Sequence, residues 1–101
     1  MERLFNAIMR TEGTANATAI MELLTTCSVT YIERRTDFGV KFRLTIEVNE
    51  VSYTIDGTIY DNGELFDSEY NFHNGEYEEY AGEGPIDFET LQACIEELVN
   101  F

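Results

Sequence analysis

The C-terminal part of this chain lacks basic side chains altogether. All six Lys and Arg residues lie at or before Arg43, whereas residues 44–101 hold fifteen of the twenty carboxylates. The formal charge is therefore −15 for residues 44–101 and +1 for residues 1–43 (six basic minus five acidic), which sum to the −14 of the whole chain. Such a surface repels nucleic acid and anionic membranes. We therefore expect no direct nucleic-acid partner and no membrane partner.

The chain also lacks long apolar runs and is poor in cysteine. No segment has the length and apolarity of a signal peptide or a membrane span, so we expect a cytoplasmic protein. Cys27 and Cys94 are the only cysteines. Without a secretory signal, two cysteines are expected to be reduced side chains that fill the core. Whether they lie close together is left open by the sequence.

A disordered acidic tail is excluded by the composition. Hydrophobic residues make up 44% of the chain and aromatic residues 13%, which is enough apolar area to drive folding. A length of 101 residues is close to the common size of one domain. We therefore predict a single acidic domain over residues 1–101.

Helical patterns open and close the chain. Apolar residues recur at helical spacing within residues 2–25, where Gly13 separates two short helices and Thr14 or Asn16 is suited to cap the second. Near the C-terminus, Ile86 precedes Asp87 in the pattern of a hydrophobic staple around an N-cap. The helix that follows would present Phe88, Leu91, Ile95 and Leu98 on one face.

The middle of the chain alternates between apolar and polar residues, which is typical of half-buried strands. Strands are predicted over 29–32, 40–48, 51–59, 65–72 and 76–80, with 81–85 as a loop. Gly39 is suited to a left-handed bulge position, and Asn62-Gly63 and Asn74-Gly75 are hairpin signals of the type I′ class. The sequence therefore predicts a two-layer α+β fold in which an antiparallel meander of four to five strands carries the N-terminal helices and the C-terminal helix on one face.

No pattern in the chain predicts a reaction. His73, the single histidine, falls in a predicted turn without a partner for general-base catalysis. Cys27 precedes a strand, so nothing indicates a lowered thiol pKa. The acids around Asn62-Gly63 do not follow the calcium-loop spacing. We predict a protein that is not an enzyme and that binds neither a metal nor a cofactor.

The acid-rich region around the two hairpin signals is the main functional signal. Residues 61–89 hold ten acids, and tyrosines are interleaved among them. Residues two apart on a strand share a face, so Asp67 with Glu69, and Glu76 with Glu78, are expected to form pairs of charges. Aromatic residues anchor protein interfaces. The predicted partner-binding residues are Asp61, Glu64, Asp67, Glu69, Tyr70, Glu76, Tyr77, Glu78, Glu79, Tyr80 and Glu83.

The chain resembles, as a class, the small acidic phage-encoded inhibitors that imitate nucleic acid, including anti-CRISPR and anti-restriction proteins. The resemblance lies in the length, the −15 segment and the acid-rich hairpins. It implies an inhibitor that occupies a basic nucleic-acid-binding surface of a host defence nuclease complex, in the host cell cytoplasm if the protein is phage-encoded. The alternative is a non-enzymatic subunit of a homo-oligomer, such as a homodimer, or a hetero-oligomer. In that case the sheet face, or the helix face with Leu91, Ile95 and Leu98, would carry the contact.

Overall fold

The computed structural model describes all 101 residues and contains three helices and five strands. In chain order they are α1 (Glu2–Glu12), α2 (Thr14–Leu24), β1 (Ser28–Arg35), β2 (Gly39–Val48), β3 (Val51–Tyr60), β4 (Ser68–Asn74), β5 (Tyr77–Gly84) and α3 (Phe88–Asn100). The strands form one antiparallel sheet in the order β1-β2-β3-β4-β5, so each strand pairs with its neighbour in sequence. The predicted α+β meander with helices at both ends is confirmed.

The core lies between the helices and one face of the sheet. The alternation in β2 and β3 sends Phe42, Leu44 and Ile55 to this face, where they are buried. The helices bury Leu4, Ile8, Ile20, Leu91 and Leu98 against them. Each fully buried side chain of this size contributes about 1.5–3 kcal/mol. The intervening residues of β2, among them Lys41 and Arg43, point away from the helices into solvent. We call this second side the open face.

Helix α3 begins as the sequence predicts. The side chain of Asp87 accepts a hydrogen bond from the Thr90 backbone N–H at 2.8 Å, and Ile86 is buried. Asn16 does not cap its own helix, because α2 begins at Thr14 after Gly13. Its side-chain oxygen instead accepts from the Phe88 backbone N–H at 2.8 Å and so satisfies a donor at the start of α3. The first turn of α2 and the start of α3 are therefore linked by a hydrogen bond.

The Asn-Gly turns differ from the predicted type I′ class. After Tyr60, the three residues Asp61-Asn62-Gly63 form the loop: the Gly63 N–H donates to the Tyr60 oxygen at 2.8 Å, and Gly63 has φ 84°. This is the arrangement of a turn closed by a glycine bulge. Between β4 and β5, Asn74 pairs with Tyr77, so the two central residues are Gly75 and Glu76. Only Gly75 of that pair has positive φ, at 62°.

A type I′ geometry occurs instead between β2 and β3. Val48 pairs with Val51, and the two residues between them, Asn49 and Glu50, have φ of 49° and 72°. Positive φ at both central positions is what this tight hairpin requires. Positive φ is unusual at Glu50, because a residue with a Cβ is strained in this conformation.

The boundaries of the last two strands also depart from the prediction. β4 starts at Ser68 rather than at 65, so Phe66 lies before it and is 62% exposed. β5 continues to Gly84 through the predicted loop, with a bulge opposite Tyr70 and Asn71 where Gly82 adopts φ 119°. His73 belongs to β4 rather than to a turn. The β4–β5 hairpin is thus longer than the sequence pattern indicated.

Two glycines in the sheet are required by close packing. Gly39 does not adopt a left-handed conformation; a Cβ there would lie 2.2 Å from the Ile59 backbone oxygen. Gly57 leaves room for the ring of Phe42, which a Cβ would approach to 2.7 Å. The predicted left-handed bulge at Gly39 is therefore wrong, and the residue is instead constrained by the neighbouring strand.

Candidate functional site

The strand register collects carboxylates into a line across the open face. Arg43 on β2 is opposite Asp56 on β3, which is opposite Glu69 on β4, which is opposite Glu83 on β5. Residues directly opposite one another point to the same side of a sheet. We call Asp56, Glu69 and Glu83 the acidic row. It runs perpendicular to the strands, with one carboxylate for each of three neighbouring strands.

The acidic row is electrostatically unfavourable by itself. Adjacent strands lie about 4.8 Å apart, and like charges directly opposite each other destabilise a sheet. Arg43 offsets part of this at one end, since its Nε and an Nη donate to the two Asp56 oxygens at 2.8 and 3.1 Å. These hydrogen bonds raise the pKa of the Arg43 guanidinium, and Glu78 and Glu69 raise it further through charge. No basic residue pairs with Glu69 or Glu83.

A shallow depression of about 210 Å³ lies beside the acidic row. Asp67, which immediately precedes β4, lines it together with the three carboxylates of the row, so four acids border one concave surface. Its wall is aromatic: the rings of Tyr60 and Phe66 meet edge to face with centroids 5.5 Å apart. Phe66 is one of the most exposed apolar side chains in the molecule. Aromatic side chains are enriched at protein interfaces, so the exposed ring of Phe66 is a candidate contact.

Tyr80 provides a second aromatic group near the row. Its side chain is 58% exposed, and it pairs with Asn71 in the next register position. The pKa of its phenol is raised by desolvation and then by the charges of Glu83 and Glu69. At neutral pH the phenol is therefore a neutral hydrogen-bond donor within a negative surface.

Three arginines of the N-terminal half are engaged elsewhere, whereas Arg34 and Lys41 lie on the open face of β1 and β2 without an ion pair. Arg3 pairs with Glu33 at 3.5 Å, and an Arg10 Nη donates to the backbone oxygen of Asn62. Arg35 pairs with Asp61 at 2.6 Å across the sheet. They leave the acidic row without neutralising partners other than Arg43.

The predicted site residues divide into separate groups. Asp67, Glu69, Tyr80 and Glu83 gather around the acidic row, as described above. Glu78 lies on the same face, with an oxygen 4.0 Å from Nε2 of His73. The other predicted residues lie elsewhere. Asp61 is in its ion pair with Arg35, and Glu64 is half-buried in the β3–β4 connection. Glu76 lies at the hairpin tip, and Tyr77 and Glu79 lie on the helix side of β5.

Two expectations about this region are corrected by the geometry. Tyr70 cannot serve as an exposed anchor, because it is 4% exposed and its hydroxyl donates to the Pro85 oxygen at 2.7 Å within the core. Burial is the main cause of the raised pKa of its phenol. Glu76 and Glu78 do not form a strand pair, because Glu76 belongs to the turn. Asp67 and Glu69 do meet in the depression, although Asp67 precedes the strand.

Asp56 and Phe66 belong to the site but were missed from the sequence. Asp56 lies outside the acid-rich stretch 61–89, and only the pairing of β3 with β4 brings it beside Glu69. Phe66 shares the alternation of Ser68, Tyr70 and Phe72. It would therefore lie on the same face as these residues if the strand began at 65. The outward position of Phe66 follows from the strand beginning two residues later. A longer predicted connection between β3 and β4 would have placed Phe66 outside the sheet.

The histidine and the two cysteines lie outside the acidic row. His73 Nε2 is 3.0 Å from Thr54 Oγ1 and lies half-buried on the open face. The two cysteines are free, and burial raises the pKa of the Cys94 thiol to about 11, so it is neutral at physiological pH. No group of three or more His, Cys, Asp and Glu residues is arranged to hold a metal ion.

Comparison with models of protein families, with curated proteins and with solved structures found no match. The candidate site therefore rests on its own geometry and charge. Among the three helices, none combines the length and apolarity that crossing a bilayer requires.

Proposed function

We propose that this protein is an acidic inhibitor that binds a basic nucleic-acid-binding surface of a host defence nuclease complex. Its mode of action would be mimicry of nucleic acid, as in anti-CRISPR and anti-restriction proteins. The observation that carries the proposal is the acidic row on the open face, in which Glu69 and Glu83 are exposed and Asp56 is half-buried, beside Phe66 and Tyr80. The proposed role is binding alone, without catalysis.

The spacing of the acidic row supports mimicry of a phosphate backbone. One carboxylate recurs with each strand, about every 4.8 Å. One strand of a nucleic-acid duplex carries a charge about every 3.4 Å along its axis, so the two linear charge densities are of the same order. Lysines and arginines placed to contact successive phosphates could therefore contact successive carboxylates. The net charge of −14 would also accelerate the encounter with a basic groove.

The cost of the arrangement supports a role in binding rather than in solubility. Solubility of a small domain needs a net charge of only about 2–8 in magnitude, with both signs interspersed. Here Glu69 and Glu83 are opposite each other without a basic neighbour on β5, which opposes folding. A basic partner would relieve this repulsion on binding. Exposed Phe66 and Tyr80 would supply the apolar contacts that charge alone does not provide.

The alternative of an oligomer subunit is less well supported. Leu91, Ile95 and Leu98, the residues expected to form its helical contact, are 0%, 8% and 1% exposed because they pack into the core of the same chain. The helix could therefore contact a second molecule only through its other, exposed residues. The open face remains its other candidate contact. Its β4–β5 side, where the carboxylates lack basic neighbours, suits a basic partner, whereas its β1–β2 side carries Arg34, Lys41 and Arg43.

The test compares two double variants with the same change in charge. Glu69→Lys with Glu83→Lys reverses the acidic row, whereas Glu22→Lys with Glu96→Lys reverses exposed charges on α2 and α3. Each protein is immobilised and exposed to lysate of a bacterium that carries such nucleases, at low salt. The retained nuclease complex is then purified, and its binding to labelled nucleic acid is measured with and without the protein.

We expect the wild type and the helix variant to retain the nuclease and to displace its nucleic acid, and the row variant to do neither. Circular dichroism must show that all three proteins are folded. Equal retention by the row variant would contradict the assignment of the surface. Simultaneous binding of the protein and the nucleic acid would contradict mimicry.

A further inference from the structure

A second acidic site lies on the opposite side of the β4–β5 hairpin. The helix side of β5 and the end of α3 enclose an open pocket of about 280 Å³. Tyr53 and Phe72 form its buried floor, with ring centroids 5.5 Å apart. Phe101 packs on Phe72 at 5.3 Å, and Tyr77 lines another side. Tyr80, at the edge of β5, also lines the pocket, so five aromatic residues surround one small volume.

The two outer rings are unusually exposed for such a cluster. Tyr77 is 59% exposed and Phe101 is 67% exposed, whereas Tyr53 and Phe72 beneath them are at most 7% exposed. The pocket is thus preformed at its floor and accessible at its rim. Contiguous exposed aromatic surface on a small domain commonly marks a binding site.

Two carboxylates complete the rim. Glu97 on α3 accepts a hydrogen bond from the Tyr53 hydroxyl at 2.5 Å, and Glu79 on β5 accepts one from the Tyr77 hydroxyl at 3.4 Å. Burial raises the pKa of the Tyr53 phenol, and the charges of Glu97 and Glu79 raise it further. Both carboxylates therefore act on the same small region. Each uses one oxygen for these bonds and keeps capacity to accept others.

The cation that these groups could hold does not come from this chain. None of its six Lys and Arg residues lines the pocket, and the last of them in sequence is Arg43 on the open face. The pocket therefore combines aromatic faces and negative charge with no positive charge to match. Aromatic faces attract cations, and they attract arginine more often than lysine because the planar guanidinium also stacks on the ring.

We infer that this pocket binds the guanidinium of an arginine side chain from the basic partner, between the rings of Tyr77 and Phe101 and against the carboxylates of Glu79 and Glu97. The inference deepens the proposed function and rests on it for the identity of the partner. It assigns the helix side of β5 a separate role: the acidic row would meet a line of positive charges, whereas the pocket would select one arginine.

The pocket can be tested without the partner. N-acetyl-L-arginine amide is titrated into ¹⁵N-labelled protein, and amide shifts are followed by NMR; the citrulline analogue, which has nearly the same shape but no charge, is titrated in parallel. We expect arginine to shift residues around Tyr77, Glu79 and Phe101, and citrulline to bind several-fold more weakly. Glu79→Gln should weaken arginine binding by about threefold, the effect of losing one exposed charge pair. Tyr77→Ala should weaken it by a comparable factor through loss of a cation–π contact.

Glu76→Gln is the matched control, because it removes one charge from the exposed hairpin tip near the pocket but not in it. Equal weakening by Glu76→Gln and Glu79→Gln, or equal binding of citrulline and arginine, would overturn the inference. Failure of this test leaves the nuclease experiment unaffected. Conversely, if arginine binds at the pocket but no nuclease is captured, the proposed function is contradicted and the arginine pocket is supported.

Discussion

Removing the outermost charge of the acidic row should stabilise the protein. In Glu83→Gln the side chain keeps its size and its ability to accept hydrogen bonds, and only the charge is lost. Glu83 is opposite Glu69 and lines the same depression as Asp67, while Arg43 is three strands away. The substitution therefore removes repulsion and sacrifices little attraction.

The magnitude follows from the geometry. Two unit charges about 5 Å apart in a watery environment repel by about 0.8 kcal/mol, and physiological salt reduces this to about 0.4 kcal/mol. With a smaller share from Asp67, Glu83→Gln should gain about 0.5 kcal/mol. For a domain near 100 residues that corresponds to an increase in Tm of roughly 2–4 °C.

Thermal unfolding followed by circular dichroism tests this at two ionic strengths. At about 0.01 M sodium chloride the Debye length is about 30 Å, and at about 1 M it is about 3 Å. The gain in Tm should be larger at low salt and should nearly vanish at high salt. Glu76→Gln also removes one negative charge, at the hairpin tip. Its gain in Tm should be smaller, because Glu76 has no carboxylate opposite it.

Two results would refute this reasoning. If Glu76→Gln raised Tm as much as Glu83→Gln, net charge alone would explain the gain. If the gain of Glu83→Gln persisted at high salt, it would not arise from repulsion within the row. The same variant should bind the proposed partner more weakly, so that stability and function change in opposite directions.

Four further predictions concern the fold. Asp87→Ala should cost about 1 kcal/mol in the free energy of unfolding measured by urea denaturation, because it removes the N-cap of α3; no change would show that the cap is dispensable. Gly57→Ala should cost about 1–3 kcal/mol in the same assay, since its Cβ would lie 2.7 Å from the Phe42 ring; a neutral result would mean that the ring moves aside freely. Burial raises the pKa of Cys94 to about 11 from 9.0, so stability should fall as pH rises from about 9 to 11, where the unfolded state loses the thiol proton first, and this decline should be smaller in Cys94→Ala. A thiol reagent at neutral pH should label Cys27 before Cys94, and equal rates would contradict the burial of Cys94.

Local pattern determined most of the fold. The period-two alternation in β2 and β3 places every second residue in the core, because successive side chains on a strand point to opposite sides. This holds whichever strands lie next to β2 and β3. The N-cap at Asp87 is likewise set by a carboxylate placed to accept from nearby backbone donors. The absence of Lys and Arg after Arg43 predicted an uncompensated negative surface, and the β4–β5 side of the sheet carries one.

Tertiary structure decided which acids meet. Asp56 and Glu83 are 27 positions apart in sequence, and they join Glu69 in one row only because the register of three strands aligns them. Neighbours in sequence, such as Glu78 and Glu79, lie on opposite faces because successive side chains on a strand alternate. Register depends on turns and bulges. Here a three-residue loop replaced the two-residue turn that Asn62-Gly63 suggested, the second turn is centred on Gly75 and Glu76 rather than on Asn74 and Gly75, and a bulge lies opposite Tyr70 and Asn71. Composition therefore determined the charge of this protein, and strand pairing decided its arrangement, because only pairing converts distant positions along the chain into neighbours on a surface.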